Sequence, residues 1–300
     1  MNRGKLNNMI FDSINYFVFT ILSLICIYPF YYIALVSLSS PEEVARGHVY
    51  LFPSGFTLTN YEKVFALRAI TQAFMVSTAR TVIGTIITVF CTSFFAYILT
   101  KNEMYFRKAI YRFVIMSMYI NAGMIPWYIV MIKLGLKNNF LLYVIPGAVG
   151  AFFLILVKTY IEQLPPSMEE SAMVDGANFF IIFKKIIFPI SMPIIATIGV
   201  FTAVGQWNTW FDNLFLVSKP SLKTAQLVLY EIIRDAELYA NQQISNMAEH
   251  SSTVSGAGHR LTPTTIRMTV TMIVTLPILF VYPFLQKYFV KGIMLGAVKG

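Results

Sequence analysis

Charged residues are scarce in this sequence, and long apolar runs take their place. Only 12% of the 300 residues are Asp, Glu, Lys or Arg, and 57% are hydrophobic. Soluble domains carry about 25% charged residues, so this composition indicates a membrane protein. The net charge of +9 comes from dispersed basic residues. Because no basic helix or aromatic sheet pattern accompanies them, we expect no nucleic-acid partner.

The signatures of catalysis and of cofactor binding are also missing. The sequence has no Gly-x-x-x-x-Gly-Lys-Ser/Thr loop for nucleotide phosphates and no Gly-x-Ser-x-Gly elbow. His48, His250 and His259 stand apart, without the spacing that zinc requires. Cys26 and Cys91 both lie in apolar runs, which favours free buried thiols over a disulfide. We therefore expect no catalytic residue, cofactor or metal in this chain.

Six uncharged runs are each close to the roughly 20 residues that a helix needs to cross a bilayer. Backbone groups in lipid must be satisfied internally, so the runs predict helices. We expect one all-α transmembrane domain over residues 1–300. Its predicted spans are Tyr16–Leu38, Thr81–Thr100, Phe113–Ile132, Phe140–Val157, Ile190–Phe211 and Met268–Gln286. The first run is long and lacks a small-x-small cleavage site, so it predicts a retained helix rather than a signal peptide.

Basic residues in the short loops predict the orientation. The loop Lys101–Arg112 holds four basic residues, whereas the opposite loop Lys133–Asn139 holds two. Since basic short loops favour the cytoplasm, both termini and the loop 158–189 are expected inside. Ser39–Arg80 and Asp212–Pro263 are then outer loops, longer than simple connection requires. They are either solvated connectors or contacts for a substrate-delivering protein, and the sequence leaves both open.

The loop 158–189 contains a short polar helix between two apolar runs. Ser167 followed by Glu170, after Pro165-Pro166, predicts a capping box, and Gly176 predicts the left-handed residue that ends the helix. A solvated surface helix would explain its two adjacent carboxylates. The apolar residues Met168, Ala172 and Met173 favour a helix that docks onto a soluble partner. Phe179–Phe188, with its two lysines, predicts an amphipathic helix along the membrane surface.

The same loop carries a family resemblance. Glu170-Ser171-Ala172 is followed after three residues by Gly176, and nine more residues lead to an Ile-Ile-Phe-Pro segment. This spacing resembles the Glu-Ala-Ala loop of permease subunits of binding-protein-dependent ABC importers, with Ser for the central Ala and Phe for the usual Leu. The resemblance implies a MetI-like, type I importer fold. It also implies these ATPase-coupling residues: Glu169, Glu170, Ser171, Ala172, Asp175, Gly176, Ala177, Ile186 and Pro189.

Two further stretches point to carbohydrate importers. Val204–Asp212 resembles the fifth span of sugar-importing members, and the tail from Tyr282 to Gly300 is similar to the branch that imports complex oligosaccharides such as aldouronates. The resemblance implies a heterodimer with a second permease in the bacterial cytoplasmic membrane. It further implies a dimeric ATPase that binds ATP and Mg, and an extracytoplasmic solute-binding protein that delivers an oligosaccharide.

Polar and aromatic residues inside the runs are the candidates for the substrate pathway: Gln206, Trp207, Asn208 and Trp210 in the fifth run, Tyr119 and Asn121 in the third. Amides and aromatic ring faces together suit a glycan. Packing between helices explains each residue singly at least as well. In maltose-type relatives, moreover, the sugar is held mainly by the other permease subunit.

Two other classes of protein are compatible with six spans. A stand-alone ion-coupled transporter would need an acid within the membrane, and the six runs contain neither Asp nor Glu. A membrane assembly or scaffold protein would keep the interaction loop without needing a polar cavity. Transport of a labelled glycan with and without ATP separates these alternatives.

Overall fold

The computed structural model describes residues 3–120, 122–235 and 263–297, with side chains for 9–120, 122–235 and 264–281. Within these ranges the chain is helical or irregular and contains no strand, as the sequence predicts. The α-helices are α1 Arg3–Ser37, α2 Pro41–Ala45, α3 Thr59–Ala66, α4 Arg68–Ile98, α5 Arg107–Tyr119, α6 Met124–Lys133, α7 Ala151–Ile161, α8 Ser167–Val174, α9 Phe179–Ile182, α10 Phe188–Ile190, α11 Met192–Asn208, α12 Phe211–Leu216, α13 over residues 225–235, and α14 Pro263–Ala297. Phe140–Tyr143 and Pro220–Leu222 form 3₁₀ turns, and Phe183–Ile187 forms a π-helical turn.

Three of the described helices are long and apolar enough to cross a membrane. They are the Met9–Ser37 part of α1, all of α4, and the Thr264–Val281 part of α14. A fourth is reached if Phe179–Ile190 and Met192–Asn208, which meet at an 83° bend, form one broken span. The apolar helices α6 and α7 are shorter than a full span. The count of six spans therefore stays a prediction.

Two of the predicted runs, the third and the fourth, are broken well inside their bounds. The third is divided between α5 and α6, with Gly123 at φ 82° between them. The fourth begins with a 3₁₀ turn and becomes α-helical only at Ala151. Its intervening residues include Pro146, which cannot donate a helical hydrogen bond and so favours the break. Uniform hydropathy conceals such breaks, because it reports burial in lipid rather than backbone geometry.

α4 begins at Arg68, well before the predicted start of the second span at Thr81. Arg80 therefore lies inside a helix and not in an outer loop, which corrects the predicted boundary. The rest of Ser39–Arg80 contains α2 and α3, the kind of short surface helices expected for an ordered loop. Ser40 caps α2, since its side chain accepts a hydrogen bond from the Glu43 N–H.

The described chain divides into two compact units. The first combines residues 1–68 with 229–276. In it, the end of α1 packs through Leu35 and Val36 against Val49. The buried Asn60 side chain donates to the carbonyls of Ser37 and Ser39, at 2.9 and 2.8 Å. These bonds fold the start of the outer segment back onto the end of α1.

The second unit combines residues 69–228 with 277–300. In its core α7 packs against α5 and α11. Phe183 lies at the centre, with its ring centroid 5.1 Å from that of Phe94 and 5.6 Å from that of Tyr97. Ile182, Phe183 and Ile187 are buried, whereas Lys184 and Lys185 are exposed. The amphipathic pattern predicted for Phe179–Phe188 is therefore present.

Both cysteines are free, as expected, although their burial differs from the prediction. Cys91 is half-buried in α4 and Cys26 is exposed on α1. Much of α1 is exposed in the same way, and its exposed side chains are large and apolar. Such a surface suits lipid or another membrane helix rather than water.

Candidate functional site

The polar loop helix is α8, and its C-terminus has the predicted geometry. Gly176 adopts φ 80°, a conformation that costs a residue with a β-carbon strain. The Ala177 N–H donates to the Ala172 carbonyl and the Gly176 N–H donates to the Met173 carbonyl, both at 3.0 Å. This pair of bonds is a Schellman motif. The Asn178 side chain then caps α9 by accepting from the Ile181 N–H at 2.9 Å, so the chain reverses through two well-satisfied helix ends.

The N-terminus of α8 differs from the predicted capping box. Pro166 occupies the N-cap position in a helical conformation, and no side chain caps the helix. The Glu170 N–H donates to the Pro166 carbonyl at 3.1 Å. Ser167 is therefore inside the helix, where its carbonyl accepts from the Ser171 hydroxyl at 2.9 Å. The prediction was wrong because proline fixes φ in the helical range and starts the helix one residue early.

α8 has one face packed on the protein and one face exposed. Ala172 packs against the core cluster around Phe183, as do Ala177 and Ile186 in the segment after the helix. Met168 and Met173 of α8 are each 40% exposed and Glu170 is exposed, and so are Asp175 and Pro189 beyond the helix. Ala172 was predicted to belong to the docking face, and the structure places it on the packed face instead. The exposed face thus keeps two flexible methionines beside a carboxylate.

Glu169 is anchored within the chain, a contact that the sequence did not reveal. Its carboxylate forms an ion pair with Lys101, which follows α4, and both side chains are largely buried. The Tyr97 hydroxyl donates to the same oxygen, Oε2, at 3.4 Å. The Lys101 ammonium lies 4.2 Å from the Tyr97 ring centroid, a cation–π distance. We call Tyr97, Lys101 and Glu169 the inner anchor; it joins α8 to the end of α4.

A second ion pair is buried elsewhere on α4. Arg80, which is 3% exposed, donates from Nη2 and Nη1 to the two carboxylate oxygens of Asp212, at 2.7 and 3.0 Å. Its Nε donates to the Gln206 side-chain oxygen at 3.0 Å, and Nη1 also donates to the Thr209 carbonyl at 3.2 Å. Its guanidinium lies 4.6 Å from the ring centroid of Tyr143. Bidentate pairing of this kind fixes the relative position of both side chains.

Sequence reasoning missed Arg80 and Asp212 because each directly abuts a predicted span and was assigned to an outer loop. Asp212 instead lies in the first turn of α12. A signal for the pair was nevertheless present, since single charges of opposite sign at the ends of two apolar runs are expensive unless they are paired. Tyr143 gave no such signal.

The substrate-pathway candidates do not form one cluster. Gln206 joins the Arg80 network, whereas Trp207 is buried edge-to-face against Phe74 with centroids 5.5 Å apart. The Asn208 side chain accepts from Gln226 at 3.3 Å, and Trp210 packs on Phe211. Tyr119 is 84% exposed, and Asn121 lies outside the described residues. For Trp207 the packing interpretation is the one that the contacts favour.

The Arg80 network borders a cavity of about 400 Å³ within the second unit. Residues from α4, from the irregular segment before α7, and from α11 line this cavity. Its wall combines the rings of Trp127, Tyr143, Phe153 and Phe201 with the side chains of Thr202 and Gln206. The volume lies in the range of small-molecule sites, roughly 300–1,000 Å³.

These features define a multi-pass helical membrane protein that presents a short helix at its surface and encloses a mixed polar and aromatic cavity. The family described as "Binding-protein-dependent transport system inner membrane component" matches residues 93–295. The chain belongs to this family and is an ABC importer permease, a multi-pass subunit of the cell membrane. The predicted family and the all-α permease fold are confirmed.

Similar proteins extend over nearly the whole chain. The polygalacturonan/rhamnogalacturonan transport system permease protein YtcP of Bacillus subtilis (strain 168) is 35% identical, over 98% of this chain and 100% of its own. Protein LplC of the same organism is 36% identical, over 97% and 95%. A crystal structure of a bacterial ABC transporter involved in the import of the acidic polysaccharide alginate aligns with a TM-score of 0.82 and 29% identity, covering 96% of this chain and 99% of that one.

Proposed function

We propose that this permease carries an oligosaccharide or a polysaccharide fragment across the membrane, in a complex driven by ATP. The names of its relatives support a carbohydrate substrate. The observation that carries the transport role is the division of α8 into a packed and an exposed face. An importer needs a surface helix that is held firmly by the membrane domain and yet is open to a partner.

The exposed face of α8 is the proposed contact for the ATPase subunit. Met168 and Met173 supply adaptable apolar contacts, and Glu170 supplies charge at the rim. Within the described residues Glu170 forms no ion pair, whereas Glu169 is held by Lys101. Adjacent carboxylates therefore have separate proposed roles: Glu169 anchors the helix and Glu170 meets the partner.

The remaining parts of the complex follow from the family's mode of action. A second permease subunit forms a heterodimer with this chain, and an extracytoplasmic solute-binding protein delivers the sugar. ATP and Mg bind to an ATPase dimer, and this chain supplies no catalytic residue. Both termini and the loop 158–189 face the cytoplasm in this proposal, since the basic short loops favour that orientation.

The alternative function is that of an ion-coupled transporter, and the structure identifies the acid that it would use. Asp212 is a buried acid, as ion coupling would require. Its two oxygens, however, are both bound to the guanidinium of Arg80, a group that keeps its charge in proteins. Such a pair suits a fixed structural bond better than a site that must gain and lose a cation.

Uptake in membrane vesicles tests the proposed function. The chain, its partner permease, the ATPase and the binding protein are reconstituted, and a radiolabelled pectic oligosaccharide is supplied on the side of the binding protein. We expect uptake only with ATP enclosed on the ATPase side. Uptake driven by a proton or sodium gradient without ATP would establish the rival, and a complex that assembles but carries no glycan under either condition would establish a scaffold role.

A further inference from the structure

The cavity beside Arg80 contains hydrogen-bonding groups that the protein does not use. Thr202 is 7% exposed, and within the described residues its hydroxyl has no hydrogen-bond partner. Gln206 gives its side-chain oxygen to Arg80, and no hydrogen bond in the described part of the chain engages its amide nitrogen. Buried polar groups are nearly always satisfied, so the unpaired Thr202 hydroxyl indicates a missing partner, and the half-buried Gln206 side chain has a free amide group at the same cavity.

Gly84 in α4 provides the space that the Gln206 amide occupies. A β-carbon on Gly84 would lie 2.8 Å from the Gln206 amide nitrogen, closer than such atoms approach. Any other residue at this position would require the Gln206 side chain to shift. Glycine therefore leaves room for the amide, while the hydrogen bond from Arg80 orients the side-chain oxygen.

Aromatic rings provide the other walls. Trp127, Phe153 and Phe201 line the cavity together with Tyr143. Flat apolar faces next to a hydroxyl and an amide match the surface of a pyranose ring, which has apolar C–H faces and a rim of hydroxyl groups. A lipid chain would leave the hydroxyl and the amide unsatisfied.

The charged residues that line the cavity restrict the type of ligand further. Arg80 and Asp212 are the charged residues among those that line the cavity, and they bind each other through two hydrogen bonds. The Tyr143 ring also covers the guanidinium. The wall thus offers no unmatched cation to a carboxylate. Recognition here rests on hydroxyl groups and ring faces.

We propose that this cavity is a sugar subsite within this permease subunit, which binds one pyranose ring of the transported glycan through Thr202, Gln206 and the aromatic walls, irrespective of a carboxylate on that ring. The inference rests on the proposed function, because it requires a glycan as substrate. It places a substrate contact in this subunit rather than wholly in its partner.

Two matched probes test the subsite: oligosaccharides from a polygalacturonan digest, and the same oligosaccharides after chemical reduction of their carboxyl groups. Uptake by the reconstituted complex is measured against probe concentration. Thr202→Val keeps the side-chain shape and removes the hydroxyl, so the half-saturating concentration of both probes should rise about tenfold. Thr197→Val is the control, because Thr197 lies on the same helix, outside the cavity lining, and bonds to the Pro193 carbonyl.

Occupancy is measured separately by thiol labelling. In a chain with Cys26 and Cys91 replaced by serine, either probe should protect Thr202→Cys from a small thiol reagent and leave Thr197→Cys unprotected. The subsite would be overturned if the wild-type complex takes up both probes, Thr202→Val leaves their half-saturating concentrations unchanged, and neither probe protects Thr202→Cys. The proposed function would still stand. Protection by the acidic probe alone would contradict the proposal that binding does not depend on a carboxylate on the sugar ring. Absence of ATP-driven uptake of both probes by the wild-type complex would refute the proposed function, and the subsite with it.

Discussion

Arg80 makes four hydrogen bonds inside the protein, to Gln206, Thr209 and Asp212. Removal of one member of a buried ion pair leaves the other charge uncompensated, which costs about 3–5 kcal/mol. Asp212→Asn should therefore lower the thermal unfolding temperature of the detergent-purified permease. The double variant Arg80→Met/Asp212→Leu should recover most of the loss, because apolar residues of similar volume can replace such a pair.

The matched control is the exposed pair of Arg234 and Asp235. Exposed pairs contribute little, so Asp235→Asn should leave the unfolding temperature unchanged. Equal effects of Asp212→Asn and Asp235→Asn would show that the buried pair is no stronger than a surface contact.

Gly176 is the second residue for which the structure gives a specific prediction. Its φ of 80° is strained for any residue with a β-carbon, although open space surrounds the position. Gly176→Val should distort the turn between α8 and α9 and uncouple sugar uptake from ATP hydrolysis, while the chain still accumulates in the membrane. ATPase activity and uptake are measured together. Gly199→Ala is the control, since its added methyl group would meet Val89 at an ordinary 3.6 Å.

The substitution Glu170→Lys tests the proposed contact of this residue with the ATPase subunit. Because the side chain is exposed and α8 has no capping box, the change should leave the permease stable and weaken retention of the ATPase. Co-purification of the ATPase with the variant provides the measurement. Normal co-purification together with normal uptake would remove Glu170 from the coupling surface.

Single residues also show what local sequence can predict. Gly176 was predictable because the motif that ends a helix is local, and its bonds link residues at most five positions apart. The Arg80–Asp212 pair joins residues 132 positions apart. Only the packing of α4 beside α11 brings the two residues together, and the sequence around neither residue identifies the other as its partner. Glu169 is a similar case, since its contact with Lys101 depends on where α8 lies.

Among the elements, α4 has a distinct position because it contains Arg80 of the pair with Asp212 and ends just before Lys101 of the inner anchor. Arg80 contacts the cavity network, and the inner anchor begins at Tyr97 and continues to Lys101 just beyond the helix end. We therefore expect a displacement of α8 to be transmitted to α4 through this bond between charged groups. α4 in turn positions the wall of the cavity.

Lys101→Met should loosen α8 from α4. We expect ATP hydrolysis to continue and uptake per ATP hydrolysed to fall several-fold, because the partner then moves a helix that is no longer tied to the cavity. The exchange Lys101→Glu/Glu169→Lys should restore part of the coupling by reforming the pair. Lys158→Met is the control: Lys158 pairs with Glu162 one turn on and lies 4.4 Å from the ring centroid of Tyr111 on α5, so its loss does not involve α8.

Elements were predicted unevenly. Periodicity and the glycine at its C-terminus located α8, although its capping box was wrong, and periodicity located the amphipathic segment after it. The 83° bend after Phe179–Ile190 and the breaks in the third and fourth runs were not predicted. An apolar run has the same composition whether it continues as one helix or turns, and only packing against neighbours distinguishes the two.

At the scale of the whole molecule, the segment between α2 and α3 is the predicted contact for the solute-binding protein. Between α2 and α3 the side chains of Tyr50, Leu51, Phe52 and Phe56 are exposed. A cluster of exposed apolar residues marks an interaction surface. We predict that the solute-binding protein contacts this segment, so Phe52→Cys should crosslink to the binding protein during turnover. Lys137→Cys, exposed in the short loop Lys133–Asn139, should give no crosslink.

The fold class and the family were both predictable at this scale, because hydropathy and one motif determine them. The site was predictable only in part. Exposure of Glu170 and Gly176 follows from the motif, whereas the cavity is assembled from α4, α11 and the segment between α6 and α7. Of the substrate-pathway candidates that the structure describes, only Gln206 lines it.

The distance in sequence between Arg80 and Asp212 also has a consequence for biosynthesis. A ribosome adds Asp212 132 positions after Arg80, an interval on the order of ten seconds. During that interval the newly inserted helix carries a guanidinium whose counterion does not yet exist. Arg80 must extend towards the lipid headgroups until α12 is translated. We therefore expect membrane proteases to degrade a nascent chain arrested before Asp212 faster than one arrested after α12 has left the ribosome.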